Sequence, residues 1–232
     1  MAGKWPKKLP DFTEEQIRIS ADFMDAHLHA VQTSWYSFVE NFNHGYPLRT
    51  YRPNISTLEI GAGIGAHLAY EKLEQQQYTA VELLPDLARQ IQEKYPNVTV
   101  INGDVQKRLP LPDSSFDRVL AVHVLEHLPD LPAALREIHR VIKPDGIFGI
   151  VIPCEGGLAT HMARNISARP HFEKKYGQSY DWFINSQHIN MPNEITEEMA
   201  PLFSKIHSRW YPLLIPSVNL NLFVGMTLKP KK

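Results

Sequence analysis

A short apolar run over residues 55–60 ends in Gly61-Ala62-Gly63-Ile64-Gly65-Ala66, three alternating glycines followed by a helical pattern. No other feature constrains the chain as strongly. Glycine at such a turn takes positive φ without steric cost and lets a ligand approach the backbone. The first amides of a following helix add unpaired donors and a partial positive charge. The stretch therefore predicts an α/β unit that binds something at its turn.

The same rhythm continues downstream. Residues 78–82, 98–101, 116–125 and 147–152 read as further strands. Between them, a helix begins at Pro85, carries Leu87, Ile91 and Tyr95 on one face and stops at Pro96-Asn97. Another places Leu131, Leu135, Ile138 and Ile142 on its apolar side and closes at Lys143-Pro144-Asp145-Gly146. Alternating strands and helices imply right-handed crossovers and a parallel sheet covered on both faces.

Upstream, Thr13-Glu14-Glu15-Gln16 has the spacing of a capping box. Ile17, Ala21, Met24, Leu28, Val31, Trp35, Phe38 and Phe42 then recur at steps of four and three. This stripe predicts a helix, broken near Thr33-Ser34 and ended by His44-Gly45-Tyr46-Pro47, that packs on the domain after it. Residues 154–192 break the strand–helix rhythm and read as an insertion above the sheet. Thr196-Glu197-Glu198-Met199 is expected to cap a short helix, with a strand pair over 210–215 and 220–228 joined by Pro216-Ser217-Val218-Asn219. The expected organisation is one domain: a helical cap over 1–52, a core over 53–153, the insertion over 154–192 and a closing helix and strand pair over 193–232.

With 24 Lys+Arg against 25 Asp+Glu the formal charge is −1, so no global basic field argues for long nucleic acid or a membrane surface. The single cysteine, Cys154, has no intrachain disulfide partner, the N-terminal residues lack the apolar core of a secretory signal, and no run is long enough for a membrane span. A cytoplasmic monomer or homodimer is the default expectation.

The turn satisfies the dinucleotide fingerprint, with Glu82 at the second strand's end to accept from ribose hydroxyls, whether of NAD or of another adenosine compound. Three further features separate these. Glu59 puts a carboxylate just before the glycines, where an ammonium or sulfonium is balanced. Asn102-Gly103-Asp104-Val105 supplies another acidic strand end for an adenine amino group. Lastly, Phe116-Asp117-Arg118-Val119-Leu120, His123-Val124-Leu125-Glu126-His127-Leu128 and the segment from Leu135 to Gly146 resemble the class I S-adenosylmethionine-dependent methyltransferases, most closely their type 11 group.

That resemblance covers residues 55–152 and the closing strand pair. It implies a Rossmann-like α/β fold with a mostly parallel seven-stranded sheet flanked by helices, its final strand antiparallel. It also implies S-adenosylmethionine as cofactor, S-adenosylhomocysteine as product, and a cofactor site built from Glu59, Gly61, Ala62, Gly63, Glu82, Leu83, Asp104, Val105 and His123.

A hydroxyl acceptor must lose a proton, and imidazole suits that task near neutrality. His127 is the first candidate base, with His188 and His161 on the insertion as alternatives. Acceptor choice is expected in the insertion, where Arg164 and Arg169 are placed to clamp a phosphate or carboxylate. The expected reaction is methyl transfer to O or N of a small molecule or glycan end, with phosphorylated and sugar-linked acceptors among the options, and an amine acceptor would need no strong base. Although the chain holds 11 histidines, no H-E-x-x-H or Cys/His spacing occurs and Glu126-His127 with Asp130 is too local for a metal site, so a metal-independent enzyme is expected. The competing readings are a quinone or macromolecule methyltransferase, a non-catalytic cofactor-binding module and an NAD-linked oxidoreductase.

Overall fold

The computed structural model describes residues 4–30 and 37–232. A seven-stranded sheet runs in the order β3-β2-β1-β4-β5-β7-β6. Its strands are β1 (Ser56–Ile60), β2 (Gln77–Glu82), β3 (Thr99–Asn102), β4 (Phe116–Val122), β5 (Ile142–Pro153), β6 (Phe203–Tyr211) and β7 (Phe223–Pro230). The first five are parallel to their neighbours, and β7 is antiparallel to both β5 and β6. The chain order reverses beside β1, which carries the glycine turn, and at such a reversal the crevice beyond the strands' carboxyl ends is open to a ligand.

Helices α3 (Pro85–Lys94) and α4 (Leu131–Val141) are the expected crossovers. Asp130 caps α4 by accepting from the Ala133 amide at 3.1 Å. Leu131, Leu135 and Ile138 are fully buried in one cluster with Leu58, Ile60, Val119 and Ile150. Burying side chains of this size contributes about 1.5–3 kcal/mol each, so this face fixes the sheet.

The stripe before β1 divides into α1 (Glu14–Ala30) and α2 (Ser37–Leu48). The capping box forms: the Gln16 amide donates to Thr13 Oγ1 at 3.2 Å and the Thr13 amide to Gln16 Oε1 at 3.1 Å. The predicted face does not pack, however, because Ile17 and Met24 are exposed. Ile19 and Phe23 bury instead against Phe172, Tyr180 and Phe183 of the insertion. The insertion's aromatic surface lies closer to α1 than the sheet does, and it selects the opposite side of the helix. Val31, Trp35 and the expected break at Thr33-Ser34 lie outside the described residues. α2 does pack on the sheet, with Phe42 and Tyr46 against Val151. A Cβ at Gly225 would lie 2.5 Å from the Tyr46 ring, so only glycine on β7 admits that ring.

A second difference follows the glycine turn. In place of the expected helix there are two single 3₁₀ turns, His67–Tyr70 and Leu73–Gln75. Glu71 is drawn inward here. Its carboxylate accepts from Arg118 Nη2 at 2.8 Å and lies 2.9 Å from His67 Nε2, while Arg118 also donates to the Pro47 carbonyl at 2.8 Å. A buried carboxylate requires such partners, and reaching them consumes the segment. The dipole of a long helix is therefore absent at this turn, leaving the turn's own amides as donors.

The insertion is helical: α5 (Leu158–Ile166), α6 (Ala168–Tyr176) and α7 (Tyr180–Gln187). Helix α8 (Pro192–Met199) ends near Thr196 rather than starting there, because Pro192 occupies its first turn and Glu194 accepts from the Met191 amide at 3.0 Å. The closing strands also begin elsewhere than expected, and Leu213, Leu214 and Ile215 form an exposed loop.

Candidate functional site

Gly61, Gly63 and Gly65 have φ of +64°, +57° and +74°. They serve different ends. A Cβ at Gly61 would lie 2.7 Å from Val124 Cγ2 and one at Gly65 3.0 Å from the Tyr95 ring, so both are packing positions. A Cβ at Gly63 would meet nothing within 4 Å. That open space above a buried Ala62 is where a ligand fits against the backbone.

Glu82 faces this space from the end of β2. Its Oε2 accepts from the Gly63 amide at 2.8 Å and its Oε1 from the Leu84 amide at 2.9 Å. A carboxylate has about four acceptor positions, so each oxygen keeps one for a ribose hydroxyl while the amides hold the group in place. Leu83 beside it is exposed and offers an apolar wall. Asp104 Oδ1 accepts from the Gln106 amide and side chain, both at 3.0 Å, and Oδ2, 3.6 Å from the exposed Lys107 Nζ, has room to receive an amino group; Val105 next to it is buried.

Glu59 departs from its expected role. It lies buried on the sheet face and accepts from the Tyr78 hydroxyl at 2.9 Å. Burial, against the opposing effect of that hydrogen bond, pushes its carboxyl up to about 8. At neutral pH it is a neutral acid and not a standing counter-charge, because the two buried residues leave no water to solvate an anion.

The acceptor side starts where β4 stops. His123 has φ of +54°, a conformation that side chains rarely adopt outside functional sites. Its Nδ1 donates to Glu126 Oε1 at 3.2 Å, and its Nε2 is buried without a partner. Glu126 is fully buried, and its Oε2 likewise has no partner. Burial alone would raise that carboxyl, but the His123 hydrogen bond and the adjacent imidazoles outweigh it and hold it below its ordinary value.

His127 follows in a 3₁₀ turn (Leu125–His127). Its Nδ1 donates to the Gln187 carbonyl at 2.7 Å, which fixes the tautomer and leaves Nε2 a free lone pair. Burial lowers its pKa, against the pull of Glu126, so the ring is neutral at pH 7. His188 packs edge-on against it with ring centroids 4.9 Å apart. Asn190 makes this possible: its amide and that of Ile189 donate to the Glu126 carbonyl at 3.0 and 2.9 Å, and its side chain donates to the Leu125 and Leu128 carbonyls, each at 2.8 Å. Sixty residues of sequence are closed by one asparagine.

Arg164 and Arg169 are corrected as an anion clamp. Arg164 forks onto Glu155, with Nη1 2.5 Å from Oε2, and Arg169 pairs with Asp181 and Glu173. Both charges are already balanced by carboxylates of the same chain. Burial alone would raise Glu155, yet its hydrogen bonds with His188 and Arg164 bring it down to about 2. It is therefore an ionised acceptor, and His188 donates to it through Nδ1. Glu155 and Asn190 are site residues that the sequence reading missed, and Glu126 was weighed only with its neighbours His127 and Asp130; the position of Glu155 just past the carboxyl end of a parallel strand was its only signal. His161 is exposed and pairs with Asn165 at 2.9 Å. It lines, with Glu155, Leu158, Arg164, Tyr180 and Asn185, a cavity of about 460 Å³. A larger cavity of about 600 Å³ between α2 and β6, lined by Tyr46, Arg49, His207 and Tyr211 among others, contains none of the expected site residues.

A glycine cradle at β1, acids at the ends of β2 and β3 and an imidazole cluster past β4 stand at the carboxyl ends of four adjacent strands. Residues 58–150 match the family model described as a methyltransferase domain. Over these residues, about two fifths of the chain, the sequence is similar to a methyltransferase domain. Such a domain takes S-adenosylmethionine, and the open Cα face of Gly63, the free acceptor positions of Glu82 and Asp104 and the unpartnered His123 Nε2 fit that molecule.

Among relatives, the sterol 4-C-methyltransferase strm-1 of Caenorhabditis elegans is 34% identical over 101 residues, which are 41% of this chain and 30% of that protein. The demethylmenaquinone methyltransferase of Chlorobaculum tepidum is 32% identical over 102 residues, covering 44% of this chain and 41% of that protein. The chain thus spans less than half the length of these curated relatives. The PH0226 protein of Pyrococcus horikoshii shares the fold, with a TM-score of 0.65, 16% identity and coverage of 87% of this chain and 93% of that one. Among the described residues, no helix is long and apolar enough to cross a membrane.

Proposed function

We propose that this protein transfers the methyl group of S-adenosylmethionine to a hydroxyl of a small or glycan-end acceptor held beside the His127–His188 pair under the insertion. The observation that carries this reading is the convergence of His127 and His188, each with Nδ1 committed to a fixed acceptor and Nε2 left free. A hydroxyl nucleophile needs such lone pairs to give up its proton, whereas a neutral amine does not. The donor requires mainly alignment and exclusion of water, supplied by the Gly63 opening and the pinned Glu82.

Since Arg164 and Arg169 are neutralised within the chain, an uncharged acceptor is favoured over a phosphorylated one. A second reading rests on Leu158, Met162 and Ile166, which expose one apolar side of α5 next to the cavity. An acceptor with an apolar tail would lie along it, and the named relatives act on a sterol and a quinone precursor. Transfer of labelled methyl groups to a panel of polyols, glycans and prenylated phenols tests both. Label in polyols or glycans supports the first, a KM falling with each added isoprene supports the second, and transfer only to amines overturns both.

A further inference from the structure

We infer that Glu126, His127 and His188 form a binding site for one divalent transition-metal ion on the acceptor side of the crevice. One donor atom from each lies within 4.8 Å of the other two. Two imidazoles and one carboxylate are a ligand set suited to zinc, manganese, iron, cobalt or nickel rather than to magnesium or calcium. Metal–nitrogen bonds of about 2.0–2.1 Å require donors roughly 3.3 Å apart. His127 Nε2 is 4.0 Å from Glu126 Oε1, so small side-chain rotations suffice to close the site.

Three observations independent of that spacing point to a ligand. Among the described residues Glu126 Oε2 is a buried oxygen without a partner, and leaving a buried charged acceptor unsatisfied is costly. Each ligand is also oriented from behind. His127 Nδ1 donates to the Gln187 carbonyl, His188 Nδ1 to Glu155, and Glu126 Oε1 accepts from His123. Imidazoles that bind metals are oriented by such outer hydrogen bonds. Finally, the Asn190 clamp brings His188 to a turn far away in sequence, and a pair of adjacent imidazoles facing a buried acid has no packing advantage of its own.

The inference rests on the hydroxyl-transferase reading for its role and replaces the two imidazoles as its bases, because an ion would take their Nε2 lone pairs. An ion here would hold the acceptor oxygen beside the methyl group and favour loss of its proton. The proton leaves to water, the oxygen pair forms the C–O bond, and the C–S pair returns to sulfur.

The test is titration of the dialysed full chain with Co(II), followed by visible absorption, with displacement by Zn(II). One equivalent per chain is expected, and His127→Gln and His188→Gln should each weaken binding at least tenfold, with melting temperatures checked. Glu155→Gln, which weakens the hydrogen bond behind His188 together with the Arg164 ion pair, should weaken it about tenfold. His139→Ala, an imidazole elsewhere on the surface, should leave it unchanged. In the unmodified chain, Co(II) should broaden the imidazole NMR signals of His123, His127 and His188 before those of the other histidines, a readout that survives any variant failing to fold. No stoichiometric binding, or broadening spread over surface histidines, overturns the site. Calorimetry with S-adenosylhomocysteine separates the two readings: intact S-adenosylhomocysteine binding without metal binding refutes this inference alone, and metal binding without it refutes the transferase reading.

Discussion

The donor and acceptor halves of the crevice are built on opposite plans. On the donor half, Gly61 to Asp104, the contacts for a ligand come from backbone or from acids at or just beyond a strand end, and the groups lie close along the chain. On the acceptor half, Glu126 and His127 meet Glu155 and His188 only because β5, α7 and the Asn190 clamp converge. The first is a local solution that any acceptor chemistry can share. The second is a tertiary one, and specificity resides there.

The largest effect that separates the halves is expected from Gly61→Val. The new Cβ would strike Val124 at a φ of +64°, with overpacking of about 1–3 kcal/mol and an added backbone penalty. S-adenosylhomocysteine binding should fall by more than about 100-fold in calorimetry while Co(II) binding persists. The converse is His127→Gln: turnover should drop by roughly 10²-fold or more, with S-adenosylhomocysteine affinity within about twofold. A parallel loss of donor affinity would show that the halves are not separable.

Glu82→Ala removes a carboxylate that both pins the Gly63 amide and faces the ribose. Charged hydrogen bonds of about 1.5–3 kcal/mol predict a 10- to 100-fold weaker donor complex by calorimetry. A smaller, pH-dependent effect is expected at Glu59. Its folded pKa is raised from an ordinary 4.5 to about 8, so the folded chain holds a proton that the unfolded chain has lost. Its stabilising contribution is complete below 4.5 and fades as pH rises through about 8. Denaturant unfolding of the unmodified chain should therefore decline from pH 5 to pH 9 by roughly 2–4 kcal/mol, and Glu59→Gln should flatten that slope. The smallest change is Arg169→Ala, whose partly exposed ion pairs contribute about 0–1 kcal/mol. Acceptor KM should stay within about twofold; a tenfold rise would restore the anion clamp.

The two plans also explain what could be read from the residues. The glycine turn, Glu82 and Asp104 were legible because each occupies a set place relative to a strand end, and strand ends follow from local apolar patterning. The α1 stripe was misread because Ile17 and Ile19 are equally apolar, and only the insertion's aromatic surface decides which faces inward. Arg164 and Arg169 suggested an anion site because their carboxylate partners Glu155 and Asp181 lie 9 and 12 residues away, in elements whose approach no spacing rule gives. The helix expected after Gly65 failed for a similar reason: Glu71 answers to Arg118, which is brought near only by the sheet.

The sequence by itself determined the parallel sheet, the position of the cradle and the acids that face it, since periodicity and turn chemistry act over a few residues. Tertiary structure alone decided which histidines meet, which arginines are neutralised and which face of α1 is buried. Those outcomes depend on long-range closure, where desolvated charges and aromatic surfaces choose among partners that are equivalent along the chain.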